Sequence, residues 1–304
     1  METITYLKNF ISEQSTAVAV GKFDSLHVGH RFLLSKVVSE SKKRGLIPAV
    51  VSIEGAGPEK SLLDPEEKEA LLRELGIGIF VRLDLAIVRD LSPDEFLDSV
   101  LVSHLKAASL VCGDDFRFGK DRTGDVTYLR SAAVSRSIRL IVVRRKTVGS
   151  ETVSSHAIRE ALASGNIEKA NAFLGRNYAF SGVVSHGKQI GRSIGVPTAN
   201  ITPDDKRFLP SSGVYAVSVS VEGGEKETAI ANLGSNPTVH GERVTLEIHL
   251  PERSEDLYGK HLTVELLAFL REERRFPDLA SLHDQIETDL LSFRRWRKKN
   301  GFQK

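Results

Sequence analysis

The stretch at 182–201 reads GVVSHGKQIGRSIGVPTANI. It contains three glycines at a spacing of four residues, and a basic residue follows each of the first two: Gly187, Lys188, Gly191, Arg192 and Gly195. Such a loop can fold closely around phosphate groups, because glycine leaves the backbone N–H groups accessible and the basic side chains add positive charge. The pattern predicts a phosphate-binding loop, although a flexible surface loop can have a similar composition.

Two polar residues, Thr198 and Asn200, follow this loop at alternate positions. In an extended segment alternate side chains face the same way. A hydroxyl and an amide oxygen are hard ligands of the kind Mg²⁺ takes, with water and the phosphates of ATP completing the shell. We therefore expect Thr198 and Asn200 to bind Mg²⁺, with ATP as the co-substrate.

The run at 244–250 alternates apolar and polar residues. Its apolar positions are Val244, Leu246, Ile248 and Leu250, and its polar positions are Thr245, Glu247 and His249. In a strand the two sets face opposite sides, which places Glu247 in the middle of a polar face. A carboxylate is usually disfavoured in the middle of a strand, so Glu247 is a candidate functional residue. The alternative is an exposed strand face on which Glu247 is simply solvated.

Short strand-like runs, separated by turn residues, fill the second half of the chain. They are Phe180–Val184, Gly213–Val221, Thr228–Leu233, Val244–Leu250 and Leu262–Leu270. A long helical pattern comes only at 281–299. This order predicts a small antiparallel β-barrel with one terminal helix.

The first half instead alternates strands and helices. Its apolar strand-like runs are Ala17–Val20, Leu46–Ile53, Ser109–Cys112 and Leu140–Val143. Alternation of this kind predicts an α/β domain with a parallel sheet, and ligands on such sheets bind at the carboxyl ends of the strands. The change of pattern after Gly175 predicts two domains, residues 1–177 and 178–304.

Length and composition agree with two ordinary globular domains. The chain has 304 residues, a net charge of +2 and one cysteine, Cys112. The small net charge gives no reason to expect nucleic-acid binding, and no apolar stretch is long enough to span a membrane. With one cysteine and no export signal at the N-terminus, a cytoplasmic protein is expected.

A pair of histidines follows the first strand. The segment at 21–30 reads GKFDSLHVGH, and His27 and His30 would share one face of the helix that begins there. Gly29 allows a ligand to approach the backbone closely, and the helix N-terminus attracts phosphate. Two imidazoles at this place could stabilise charge as a phosphoryl bond breaks. Packing or a metal pair would be the alternative, but no cluster of Cys, Asp or Glu completes a zinc site.

Two further segments carry candidate ligand contacts. The loop GDDFRFGK at 113–120 follows another strand and includes Asp115 and Phe116, whose ring could stack on a flat ligand. The segment SSHAIR at 154–159 could hold phosphate oxygens through Ser155 and Arg159 at a helix start. Taken alone, an ordinary polar loop and a plain helix cap followed by a surface arginine explain these two segments equally well.

Together these motifs resemble the bifunctional riboflavin kinase/FMN adenylyltransferase family. The 21–30 segment is similar to the HxGH signature of nucleotidyltransferases, 113–120 to an element specific to the family, and 182–201 to the riboflavin kinase signature. The resemblance implies a Rossmann-like nucleotidyltransferase domain followed by a riboflavin kinase barrel. The implied substrates are riboflavin, FMN and ATP.

The resemblance also implies a role for individual residues. Glu247, His27 and His30 would be catalytic. The ligand-binding set would comprise Gly21, Phe23, Gly29, Asp115, Phe116, Ser155, Arg159, Gly187, Lys188, Gly191, Arg192, Gly195, Thr198 and Asn200. Arg271 and Phe276 would contact the flavin or its phosphate, with an ion pair among the neighbouring charges as the alternative for Arg271.

The N-terminal half departs from the family in three places. The stretch at 51–58 reads VSIEGAGP where the family usually has Thr-Phe-x-Pro-His-Pro; His156 stands at a usual threonine, and Ser25 at a usual glycine. These departures leave a second interpretation open, in which only the kinase is active and the N-terminal half binds a nucleotide or flavin without catalysis.

Overall fold

The computed structural model describes residues 1–5, 7–55, 60–186, 196–238, 241–253 and 255–302. The chain forms two compact units, residues 1–155 and 156–304. In the described part of the chain, no helix combines the length and the apolar character needed to cross a bilayer.

A six-stranded parallel sheet forms the centre of the first unit, in the strand order β1-β4-β3-β2-β5-β6. The strands are β1 (Glu2–Ile4), β2 (Thr16–Gly21), β3 (Ile47–Glu54), β4 (Ile79–Asp84), β5 (Ala107–Gly113) and β6 (Arg139–Val143). A short hairpin, β7 (Thr147–Val148) and β8 (Glu151–Thr152), follows. From β2 the chain moves to β3 on one side and later returns to β5 on the other, which creates a switch point between the carboxyl ends of β2 and β5.

Helices cover both faces of this sheet. They are α1 (Val28–Arg44), α2 (Pro65–Glu74), α3 (Leu85–Val88), α4 (Pro93–Phe96) and α5 (Val126–Ser135), with a π-helix at Leu97–His104 and short 3₁₀ turns at Leu7–Asn9 and Lys120–Arg122. Alternate residues of β2 enter different cores: Val18 faces one apolar cluster and Ala19 the other. A strand buried on both faces has a continuous apolar sequence, which explains why this run was recognisable.

An antiparallel sheet in the order β10-β13-β12-β11-β14-β9 forms the second unit. Its strands are β9 (Ala179–Val183), β10 (Ala199–Ile201), β11 (Gly213–Val221), β12 (Glu227–Thr238), β13 (Gly241–His249) and β14 (His261–Glu272). The Ser185 N–H donates to the Asn200 carbonyl at 2.9 Å and so joins the end of β9 to β10. The sheet is a nearly closed barrel.

A terminal helix, α8 (Leu279–Lys299), packs on the barrel through Leu290 and Phe293, which share an apolar cluster with Val214 and Ala216 of β11. The two predicted architectures, a parallel α/β domain and an antiparallel barrel with a terminal helix, are both confirmed.

Two short helices, α6 (Ser155–Ala163) and α7 (Ile167–Leu174), connect the two sheets in sequence. The division between the compact units falls at Ser155, which is earlier in the chain than the boundary at 177/178 suggested by the change of pattern. The reason is that α7 packs against β14. The Asn171 side chain donates to the Leu266 carbonyl at 2.9 Å and accepts the Tyr178 N–H at 2.8 Å.

Candidate active sites

The loop after β2 leads directly into α1 and carries the two histidines. Phe23 and Leu26 in this loop have positive φ angles, 45° and 43°, which are unfavourable for residues other than glycine. Both side chains are buried, 2% and 1% exposed, so apolar packing stabilises the loop conformation. A tightly constrained loop at a switch point is a common setting for a ligand site.

His27 is the N-cap of α1 and not a residue of its first turn, so the two histidines do not share a helix face as expected. Nδ1 of His27 instead accepts the backbone N–H of His30 at 3.0 Å. The two imidazole rings stack, with their centroids 3.7 Å apart. A Cβ at residue 29 would lie 3.0 Å from the His27 ring, which explains the glycine there.

The His30 side chain is uncharged at neutral pH. Burial lowers the pKa of His30 well below its ordinary value of 6.5, and the charges of His27 and Lys68 lower it further. The ring of Phe23 packs edge-on against His30, with the centroids 5.2 Å apart. Phe23, which was predicted to bind a ligand, is thus a buried residue that packs against the His30 ring.

A cavity of ≈ 730 Å³ lies beside this loop, at the carboxyl ends of β2, β3 and β5. Gly21 and Phe116, two of the predicted ligand-binding residues, line it. Its wall also carries charged side chains that were not predicted, four basic and two acidic: Lys22, Arg89, Arg117, Arg122, Asp90 and Asp121. Aromatic and basic groups around one cavity suit a flat, phosphorylated ligand.

The structure brings Ser155 to the histidine loop, because its hydroxyl lies 3.0 Å from that of Ser25. Asp115 follows β5 and lies 4.0 Å from the guanidinium of Arg145. Arg159 belongs to the second unit, where its guanidinium lies 5.6 Å from the centroid of the Phe208 ring.

In the second unit, Glu247 occupies the middle of a polar row across three strands. It is paired directly with Asn200 of β10 on one side and with Asn232 of β12 on the other. Directly opposed residues of neighbouring strands project to the same face. All three line one cavity of ≈ 270 Å³, so Glu247 faces a cavity whose walls are otherwise partly apolar.

A second cavity of ≈ 450 Å³ adjoins the first. Thr198, Asn200 and His249 line both cavities and form the wall between them. Nδ1 of His249 lies 2.8 Å from the carbonyl oxygen of Pro197, next to Thr198. This arrangement can hold two ligands with their reactive ends at one place.

A further carboxylate, Glu273, lies at the first cavity and was not predicted. A Cβ at Gly234 would collide with the Glu273 carboxylate, so only glycine fits there without moving that carboxylate. Burial raises the pKa of Glu273, and the charge of Glu247 raises it as well, while Arg275 and Arg271 act in the opposite direction.

Arg271 and Phe276 also line this cavity. The guanidinium of Arg271 forms two hydrogen bonds to the carboxylate of Asp289, at 2.7 and 2.6 Å, and thus joins β14 to α8. This half-buried ion pair is formed with a residue of the terminal helix, and not among the neighbouring charges as in the alternative that the sequence left open. The predicted loop residues Gly187, Lys188, Gly191, Arg192 and Gly195 lie outside the described residues.

Two residues near the sites, Asn232 and Lys68, were not predicted, because the sequence around each gives little indication of its surroundings in the fold. Asn232 precedes a turn-like Gly-Ser-Asn-Pro segment, and its place beside Glu247 depends on strand register. Lys68 looks like one more exposed residue of a charged helix, yet it is only 8% exposed. In the described ranges, no group of three or more His, Cys, Asp or Glu side chains could hold a metal ion.

Comparison with known proteins gives matches to both units. A family model described as FAD synthetase matches residues 10–157, and one described as riboflavin kinase matches residues 174–297. The bifunctional riboflavin kinase/FMN adenylyltransferase of Escherichia coli (strain K12) is 37% identical over 292 residues and 93% of each chain. The protein of the same description from Pseudomonas fluorescens is 36% identical over 97% of each chain. The crystal structure called Macrolide-efflux Protein from Streptococcus pneumoniae matches with a TM-score of 0.85 and 28% identity, over 97% of this chain and 100% of that chain.

Proposed function

The chain belongs to the bifunctional riboflavin kinase/FMN adenylyltransferase family, and we propose that its two units catalyse the two reactions of that description in series. The second unit transfers the γ-phosphoryl group of ATP to riboflavin and yields FMN and ADP. The first unit transfers AMP from a second ATP to FMN and yields FAD and pyrophosphate. The observation that carries the proposal is that each unit has its own family model and its own cavity with polar groups suited to one of these steps.

For the kinase step, Glu247 is the residue that positions the ribityl 5′-hydroxyl and accepts its proton. Its row with Asn200 and Asn232 places one carboxylate between two amide groups on the cavity face of the sheet. The flavin occupies the ≈ 270 Å³ cavity, and ATP occupies the adjoining one. The oxygen of the hydroxyl attacks the γ-phosphorus at the shared wall, and ADP leaves.

Thr198 and Asn200 suit Mg²⁺ at that shared wall. They supply neutral oxygen donors where both cavities meet, and the phosphates of ATP would supply the charged ones. When bound, the ion neutralises charge on the phosphates during transfer.

For the adenylyl step, His27 and His30 lie where the triphosphate meets the N-terminus of α1. An oxygen of the FMN phosphate attacks the α-phosphorus, and the bond to pyrophosphate breaks. Imidazoles at a helix N-terminus can donate hydrogen bonds to the oxygens that gain charge. The flavin ring lies in the ≈ 730 Å³ cavity near Phe116, and the basic residues of its wall attract the phosphate.

One assay tests the whole proposal. Purified protein is incubated with riboflavin, ATP and Mg²⁺, and riboflavin, FMN and FAD are separated by chromatography over time. We expect FMN first and FAD later. Formation of FMN without any FAD, even when FMN is supplied, would leave only the kinase.

A further inference from the structure

A buried lysine lies behind the histidine loop. Lys68 of α2 is 8% exposed, and its ammonium group lies among the carboxyl ends of β2 and β3. It donates to the Ser52 hydroxyl at 3.1 Å and to the Lys22 carbonyl at 3.4 Å. It also lies 3.6 Å from a carboxylate oxygen of Glu54.

The Lys22 carbonyl belongs to the strained loop. The hydroxyl of Ser52 donates to the same carbonyl at 2.9 Å, so two donors from outside the loop converge on one backbone oxygen. Phe23, the next residue, has a positive φ, and its ring packs against the His30 ring. The position of the Lys22 carbonyl therefore bears on the position of the His30 ring.

A structural role alone explains Lys68 poorly. Glu54 already has a near neighbour, because Arg82 donates to its two carboxylate oxygens at 3.0–3.3 Å. A buried ammonium group loses much of its hydration, and burial lowers the pKa of Lys68 accordingly. The Lys68 ammonium group is hydrogen-bonded to the loop that carries His27 and His30, and its charge acts on His30. A buried cation with these neighbours is typical of an active site.

We propose that Lys68 is a positioning residue for adenylyl transfer, and that its ammonium group fixes the Lys22 carbonyl and through it the loop that carries His27 and His30. The inference rests on the proposed function of the first unit. It concerns a residue that does not line the ≈ 730 Å³ cavity.

The test compares two substitutions in the full chain. Lys68→Met keeps the shape of the side chain and removes the donor, and Lys68→Gln keeps a donor. Formation of FAD from supplied FMN and ATP is measured, together with riboflavin phosphorylation, calorimetric unfolding and a Lys43→Met control on the exposed end of α1.

We expect Lys68→Met to lower kcat for FAD formation by about 10- to 100-fold, since small misplacements of reacting groups have effects of this size. The thermal transition of the first unit and the kinase rate should stay unchanged, and Lys68→Gln should retain more activity than Lys68→Met. Wild-type FAD formation by folded Lys68→Met would overturn the proposal. Equal losses in both variants, or a loss that follows unfolding of the first unit, would overturn it too. Absence of FAD with the wild-type protein would instead count against the proposed function.

Discussion

Glu247 could be singled out as a candidate functional residue from the alternating pattern of its own strand, but its neighbours on the adjacent strands are visible only in the structure. A carboxylate is disfavoured in the middle of a strand, so its presence there suggested a use. The structure adds that Asn200 and Asn232 flank it on the two adjacent strands. Three polar side chains therefore lie side by side on one face of the barrel wall, which is the arrangement that the proposed binding of a substrate hydroxyl requires.

Replacing Glu247 by glutamine should therefore lower the riboflavin kinase kcat by about 10²–10⁴-fold, the usual contribution of a general base. Riboflavin and ATP should still bind, because the amide keeps the size and polarity of the side chain. Steady-state kinetics with riboflavin and direct binding measurements check this, with the exposed Glu168→Gln as the matched control. A folded Glu247→Gln protein with near-normal turnover would exclude the assignment.

Thr198→Ala and Asn200→Ala should each raise the Mg²⁺ concentration that gives half-maximal kinase activity, because each removes one oxygen donor at the wall between the cavities. FAD formation from FMN should keep its own Mg²⁺ dependence in both variants. Titrations of Mg²⁺ at fixed ATP measure the two responses in one preparation. If neither titration moves, the ion is bound elsewhere.

His30 should make the first unit sensitive to acid. Its folded pKa lies well below 6.5, so between these two values the unfolded chain binds a proton that the folded chain does not. The free energy of unfolding is therefore unaffected by His30 above about pH 6.5 and decreases as the pH falls below that value, by up to about 1.4 kcal/mol per pH unit. Calorimetry from about pH 7.5 to pH 5 should show a smaller decrease for His30→Asn than for the wild type. Equal pH dependence in the two proteins would contradict the buried, neutral state of His30.

The residues that were predicted and those that were missed differ in the kind of information they require. Glu247 and the two histidines stand out through local spacing and the residue types around them. Asn232 depends on the register between β12 and β13, and Lys68 depends on how α2 packs against β3. Register and packing arise from contacts between distant parts of the chain, so the local sequence does not show them.

The same distinction applies to helices and strands. Helices α2 and α4 begin after Asp64 and Ser92, and α1 and α7 end at Gly45 and Gly175, which are residue types that commonly flank helices. β1 and β4 were not predicted, because β1 has only three residues and β4 has polar residues among its apolar ones. The packing of α7 against β14 of the barrel is not visible in the sequence of that helix.

Asn171 is the residue through which α7 supports the barrel. Its side chain joins the Leu266 carbonyl of β14 to the Tyr178 N–H. Asn171→Ala should destabilise the second unit by about 1–3 kcal/mol, because backbone groups lose their partners. Denaturant unfolding followed by the fluorescence of Trp296, the single tryptophan of the chain, reports on this unit. Glu168→Ala on the exposed side of the same helix is the control, and equal stability of the two variants would contradict the role of Asn171.

Two compact units with separate cavities imply that each activity can be removed without the other. Each unit has its own sheet and its own apolar core, so a substitution in one site should leave the other folded. The product of the second unit is the substrate of the first. FMN must therefore pass from one site to the other, within one molecule or through solution.

Complementation between two inactive variants tests this separation. Glu247→Gln should form FAD from FMN but hardly any FMN from riboflavin, and the double variant His27→Ala, His30→Ala should form FMN and accumulate it. A mixture of the two proteins should convert riboflavin to FAD after a lag, because FMN released by one protein is used by the other. Chromatography over time, at several protein concentrations, measures the lag, which should shorten as concentration rises. FAD formation by the double variant alone at the wild-type rate would show that the two histidines are not catalytic. A mixture that makes FMN but no FAD would show that FMN from solution does not reach the first unit.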